Sequence, residues 1–123
     1  MVIAAIIAAI AFPAYRRQVM ESRRTAAKTA LLDLTSREEK YYSTNNAYAS
    51  VTNLGYATIS GNAVQVPSSN DDYYNVTVTL GNPPSSYTAT ATPQGNQAND
   101  ACGSFQITNL GAQSVTGTAA NCW

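Results

Sequence analysis

Few side chains in this 123-residue chain could do chemistry, and their types are restrictive. There is no histidine, which removes the commonest general base and the commonest metal ligand. No glycine-rich phosphate loop, nucleophile elbow or paired-histidine zinc motif occurs. Asn70-Asp71-Asp72 could lend oxygen ligands to Ca²⁺, but no third acidic residue lies nearby in sequence, so a solvated polar turn is the preferred reading. Asn75-Val76-Thr77 matches the glycosylation sequon inside a stretch that reads as a strand, where chance is the better explanation. The sequence thus argues against an enzyme, and we assign it no catalytic residue, no cofactor, no metal and no small-molecule substrate.

Cys102 and Cys122 are the two cysteines. In a small domain rich in Thr, Ser and Asn they suggest one disulfide and an oxidising compartment, with two buried thiols as the alternative. Such a bridge would close a loop of about 20 residues, which the chain-entropy model values at about 3 kcal/mol. That is a large share of the stability expected of a small head.

The charges are segregated although they sum to zero. All seven basic residues lie between Arg16 and Lys40, and beyond Tyr41 only Asp71, Asp72 and Asp100 carry charge. Such asymmetry marks a nucleic-acid or membrane partner, or complementary surfaces of a self-assembling subunit.

These residues need elements to position them. Residues 1–15 are apolar almost without interruption and include Ile3, Ile6, Ile7, Ile10, Phe12 and Pro13. A run of about 15 falls short of the roughly 20 needed to span a bilayer. Ala9-Ile10-Ala11 resembles a signal-peptide cleavage site. However, no basic segment precedes the run, and the helical pattern continues past it. From Ala14 to Tyr42 there is neither Gly nor a further Pro, and helix formers dominate. Met20, Ala27, Leu31, Leu34 and Tyr41 form one helical stripe, broken by Arg24 and Glu38. Turn chemistry at Ser43-Thr44-Asn45-Asn46 should end the helix. Pro13 either kinks this rod or opens a second helix at its first turn. A helix over residues 2–43 would be about 60 Å long, more than a head of roughly 80 residues can cover. The uncovered half is the apolar half, which needs lipid or other subunits around it.

Residues 44–123 read as a β-rich head. Tyr74, Val76, Val78 and Leu80 alternate with polar residues, as do Tyr87, Ala89 and Ala91, giving two strands joined by a turn at Gly81–Ser86. Phe105 and Ile107 mark a third strand, and Asn109-Leu110-Gly111 turns into a short fourth near Gln113–Thr116. Residues 43–72 show no sustained period and read as a long loop anchored by Tyr48, Val51, Leu54, Tyr56 and Ile59. Leu31, Leu34 and Tyr41 should supply the helix's contact with the sheet.

The string Ile6-Ile7-Ala8-Ala9-Ile10-Ala11-Phe12-Pro13-Ala14-Tyr15 resembles the N-terminal segment of type IV pilins and type II secretion pseudopilins. The rod ending in Tyr41-Tyr42, followed by Asn45 and Tyr48-Ala49, is also similar to that family. So is the C-terminal part, from Tyr87 through Gln94-Gly95 and Asp100-Ala101-Cys102-Gly103 to Cys122-Trp123, which most resembles minor pilins of the PilE type. The resemblance implies the α+β pilin fold: a long N-terminal helix (1–43, apolar over 1–15 and amphipathic over 14–43) packed on a four-stranded antiparallel sheet, with a disulfide-closed C-terminal region. It implies that Ile3, Ile6, Ile7, Ile10, Phe12 and Pro13 pack in membrane and filament. It implies as partners other pilin subunits, the bacterial inner membrane before assembly and the pilus assembly machinery, with a periplasmic and then extracellular head. Family members begin with a basic leader, a Gly, a Phe and an early Glu, so the natural chain is expected to start upstream of Met1.

Arg16, Arg17, Arg23, Arg24 and Lys28, with Glu21 among them, form a basic collar beside the apolar run. It reads as a face kept soluble by charge or as a packing surface for neighbouring subunits, ahead of contact with lipid headgroups. DNA capture ranks last. Three roles follow: minor pilin serving adhesion, twitching motility or DNA uptake; type II secretion pseudopilin; or secreted binding domain with a cleaved signal peptide.

Overall fold

The computed structural model describes the backbone of residues 2–59, 62–68 and 72–123, and side chains from Tyr15 onward. Asn70 and Asp71 lie outside the described residues.

One helix, α1 (Val2–Asn45, 44 residues), dominates the molecule and is about 66 Å long. It runs unbroken through Pro13, so the two-helix alternative is not what the chain adopts. Asn46 stops it with φ +55, a left-handed conformation that Asn tolerates, and its N–H still reaches the Tyr42 carbonyl at 2.8 Å. Among the described residues no helix is long and apolar enough to cross a membrane.

Five strands follow: β1 (Val64–Pro67), β2 (Asp72–Leu80), β3 (Tyr87–Pro93), β4 (Phe105–Thr108) and β5 (Gln113–Val115). They form one antiparallel sheet in sequence order. The four-strand expectation is therefore corrected to five. The extra strand is β1, which lies within the stretch read as loop. Only three residues precede Pro67, too few to establish a period, and the proline sits on the outermost strand where no inward donor is needed.

The sheet buries one face under α1. Tyr74, Val76, Ala89, Ala91, Phe105 and Ile107 are buried together with Ala27, Leu31 and Leu34 of the helix. Fully buried Ala89 and Ala91 stand at the centre of the sheet, where small side chains let a helix approach closely. Leu31 and Leu34 thus sit in the core as the stripe requires. Tyr41 does not join that cluster. Its neighbour Tyr42 packs against the core instead, because the buried series 27, 31, 34, 38 continues in a step of four, and the Tyr48 ring meets Tyr42 at 4.7 Å.

Beyond β5 the chain returns along the segment before β4. Gly117 and Thr118 donate to the Cys102 and Ala101 carbonyls at 2.9 and 3.1 Å, and Cys102 is bonded to Cys122 with Cα atoms 5.9 Å apart. Only glycine fits at 117, since a Cβ there would lie 1.9 Å from the Ala101 carbonyl oxygen. Trp123 closes the end, its ring edge-on to Phe105 at 5.5 Å and its indole N–H on the Ser114 carbonyl at 2.8 Å.

Candidate functional site

The joint between stalk and head is built from charged residues that the sequence reading treated as interruptions. Arg24 stands in the apolar stripe and forks onto Asp100: Nε donates to Oδ2 at 2.5 Å and Nη2 to Oδ1. The Asp100 carboxylate also accepts from the Cys102 N–H and from Gln97 Nε2, both at 3.1 Å. Gln97 is fully buried in the short 3-10 turn Gly95–Asn99, and its Nε2 also faces the Met20 carbonyl at 3.2 Å and the Tyr74 hydroxyl at 3.1 Å. One network therefore ties the helix to the disulfide loop and the sheet. Burial pushes the Asp100 carboxyl up, but the Arg24 fork, the Cys102 N–H and Gln97 outweigh it and hold it below the usual aspartate range. Arg24 is correspondingly raised, first by its bond to Asp100.

The second interruption, Glu38, is also fully buried. Its Oε1 accepts the Ala49 N–H at 2.8 Å, pinning the segment after the helix, while Oε2 has no hydrogen-bond partner. Burial raises this carboxyl, and the Ala49 N–H only partly opposes that. Around it the same segment is fastened by tyrosines. Tyr48 donates to Glu39 at 3.0 Å, with its ring edge-on to Tyr87 at 4.7 Å, and Tyr56 donates to Asp33 at 2.6 Å. Arg37 lies over the Tyr56 ring at 4.1 Å and pairs with Asp33 at 3.1 Å. Burial raises the Tyr56 and Tyr87 hydroxyls far above their ordinary value. Of the five loop anchors, Tyr48 and Val51 are buried, Leu54 and Tyr56 border the core, and Ile59 is exposed.

Asp72 starts β2 facing two amides, Gln65 Nε2 at 3.3 Å and the Asn75 carboxamide nitrogen at 2.6 Å once that group is turned nitrogen-inward. The Asn75 side chain of the sequon is thus engaged with a neighbour, half-buried within the sheet.

Among the described residues, several clefts border the helix, and three of them bear on function. A cleft of about 420 Å³ at the C-terminal end of α1 is lined by Arg37, Lys40, Tyr41, Thr44, Asn45, Asn53 and Leu54. A second, of about 670 Å³, runs between the helix face at Ala26 and Ala30 and the open edge of β1. The third, about 150 Å³, lies where the stalk enters the head. Sequence reasoning found Leu31, Leu34 and the cysteines. It missed Arg24–Asp100, Gln97 and Glu38; Arg24 and Glu38 gave a signal, charge where the stripe called for leucine, and Gln97 and Asp100 gave none.

Against known proteins, residues 13–106, well over half of the chain, match the family model described as type IV minor pilin ComP, DNA uptake sequence receptor. Among solved structures, the fold matches a type IV pilin from Shewanella oneidensis with a TM-score of 0.61 and 23% identity, over 85% of this chain and 97% of that one. No curated protein matches the chain by sequence. Of the roles read from the sequence, minor pilin is the one this family supports. A long N-terminal helix on an antiparallel sheet, a bridged C-terminus and a family match across helix and head converge: the chain belongs to the ComP family of type IV minor pilins.

Proposed function

We propose that this minor pilin is inserted in a type IV pilus with the N-terminal third of α1 among the helices of other pilins and the head outward, after a membrane-anchored stage before assembly. The observation that carries this is the mismatch between a 44-residue helix and a head whose core, among the described residues, takes helix residues from Ala26 and Ala27 onward. Upstream of that core the sequence carries the apolar run with Ile3, Ile6, Ile7, Ile10, Phe12 and Pro13, and an apolar segment of that length needs lipid or neighbouring subunits. A photo-crosslinker placed at Ile7 should capture pilin subunits in cells with filaments and lipid or nothing in cells lacking the assembly machinery. Capture of no pilin in filamented cells would sink the reading.

A second component is DNA uptake, favoured by the description of the matching family as a DNA uptake sequence receptor. Beyond Tyr41 the head holds no Lys or Arg, so phosphate attraction must come from helix cations that reach the head surface. Arg37 and Lys40, bordering the cleft with Tyr41 and Asn53, are the pair best placed. Replacing both by Gln should weaken duplex binding and lower the slope of log affinity against log salt by about 2. Unchanged affinity and slope would remove this cleft from the DNA reading.

A further inference from the structure

The basic residues of the stalk are not equivalent. Arg24 is committed to Asp100, and Arg37 to Asp33 and the Leu54 carbonyl. Among the described residues Arg16, Arg17, Lys28 and Lys40 make no ion pair. Arg23 lies flat over the Tyr73 ring at 3.8 Å. That contact uses the face of the guanidinium and leaves its N–H rim free for an anion in its plane.

Arg16 and Arg23 are seven residues apart, two helical turns, and so lie on one side of α1. They line the cleft of about 150 Å³ beneath the head with Tyr15, Val19, Met20 and Asn96 of the 3-10 turn. Among the described residues no carboxylate lines it. Tyr15 is 69% exposed and directly follows the apolar run.

We propose that this cleft seats the phosphodiester of an anionic membrane lipid headgroup while the subunit resides in the bilayer, setting how deep the stalk sinks. The inference rests on the membrane stage proposed above. The order along the helix is the order of a membrane interface: apolar segment, tyrosine, then arginines that reach to headgroup level. Guanidinium matches phosphate geometry, and the cleft has room for a group of that size with no competing acid. The lipid phosphate is chosen over nucleic acid because Tyr15 and Arg16 of the cleft directly follow the apolar segment in sequence. The cleft is also separated by about 30 Å of helix from the Arg37–Lys40 pair.

The test is flotation of the full chain with vesicles of phosphatidylcholine alone and of phosphatidylcholine mixed with phosphatidylglycerol. The chain should float with both and prefer the anionic vesicles. R16Q/R23Q should lose about 30-fold of that preference, and R16Q alone, which keeps the Tyr73 contact, about 5-fold. R17Q/K28Q, with the same change of net charge on the same stretch of helix but outside the cleft, should keep most of it. Equal losses in the two double variants would mean a diffuse charge effect and overturn the site. Loss of duplex DNA binding by R16Q/R23Q with vesicle preference intact would make it a nucleic-acid site and overturn it too. Flotation with neither vesicle would instead refute the membrane stage itself, and the lipid seat with it.

Discussion

Arg24 and Glu38 occupy positions where a helix lying on a sheet would ordinarily carry leucine, and they are accommodated in different ways. Asp100 is satisfied from several sides, whereas Glu38 keeps one oxygen without a partner. The two carboxyls should therefore pull stability in opposite directions with pH. Glu38 titrates above its ordinary 4.5 when folded, so its contribution is fully present below that value and is lost as pH rises through the raised one. Asp100 titrates below its ordinary 3.8, so its contribution is present above that value and is lost as pH falls through the depressed one. Denaturant midpoints should fall as pH rises above 4.5 in the natural chain and stay level in E38Q. A level profile in both would contradict the assignment to Glu38. D100N should cost about 3 kcal/mol, since it leaves Arg24 facing a group without charge. It should also remove the acid limb of the stability profile, a loss visible in unfolding curves near pH 3.

At the scale of elements, hydrophobic period was a reliable guide where a strand was long enough to show one. Strands β2 and β3 alternate in sequence over Tyr74–Leu80 and Tyr87–Thr92 and were legible, as was the short β4–β5 hairpin with its Asn-Leu-Gly turn. Strand β1 was not, because four residues ending in proline carry no usable period. The partners Arg24 and Asp100 lie 76 residues apart, and no local pattern joins such positions before the chain folds. Tyr41 and Tyr42 illustrate the same limit within one helix. Both follow Glu38 at helical spacing, and the Tyr48 ring from the next segment decides which one turns inward. Y42A should therefore destabilise the head by about 3 kcal/mol, whereas Y41A should cost under about 1 kcal/mol in the same chemical denaturation. Equal effects would reverse the placement. C102S should lose about 3 kcal/mol, the closure entropy of its 20-residue loop. Non-reducing peptide maps of the natural chain should recover Cys102 linked to Cys122, and two free thiols would refute the bridge.

At the scale of the molecule, the fold has a long rod at one end, a bridged five-stranded head at the other, and cations confined to the rod between them. This division suits a subunit whose rod is held by a filament and whose head is displayed, and the family match across both parts places the chain among minor pilins. An apolar N-terminal segment alone is compatible with a cleaved signal or a retained stalk, and its continuation into one 44-residue helix argues for the stalk. The most direct measurement is mass spectrometry of filaments sheared from the cell surface, with the N-terminus of the chain mapped. The account predicts the chain in the filament fraction with Ile6, Ile7 and Ile10 retained, and its absence from that fraction when the assembly machinery is removed. Recovery only as a free protein in the medium, beginning after Ala11, would contradict it.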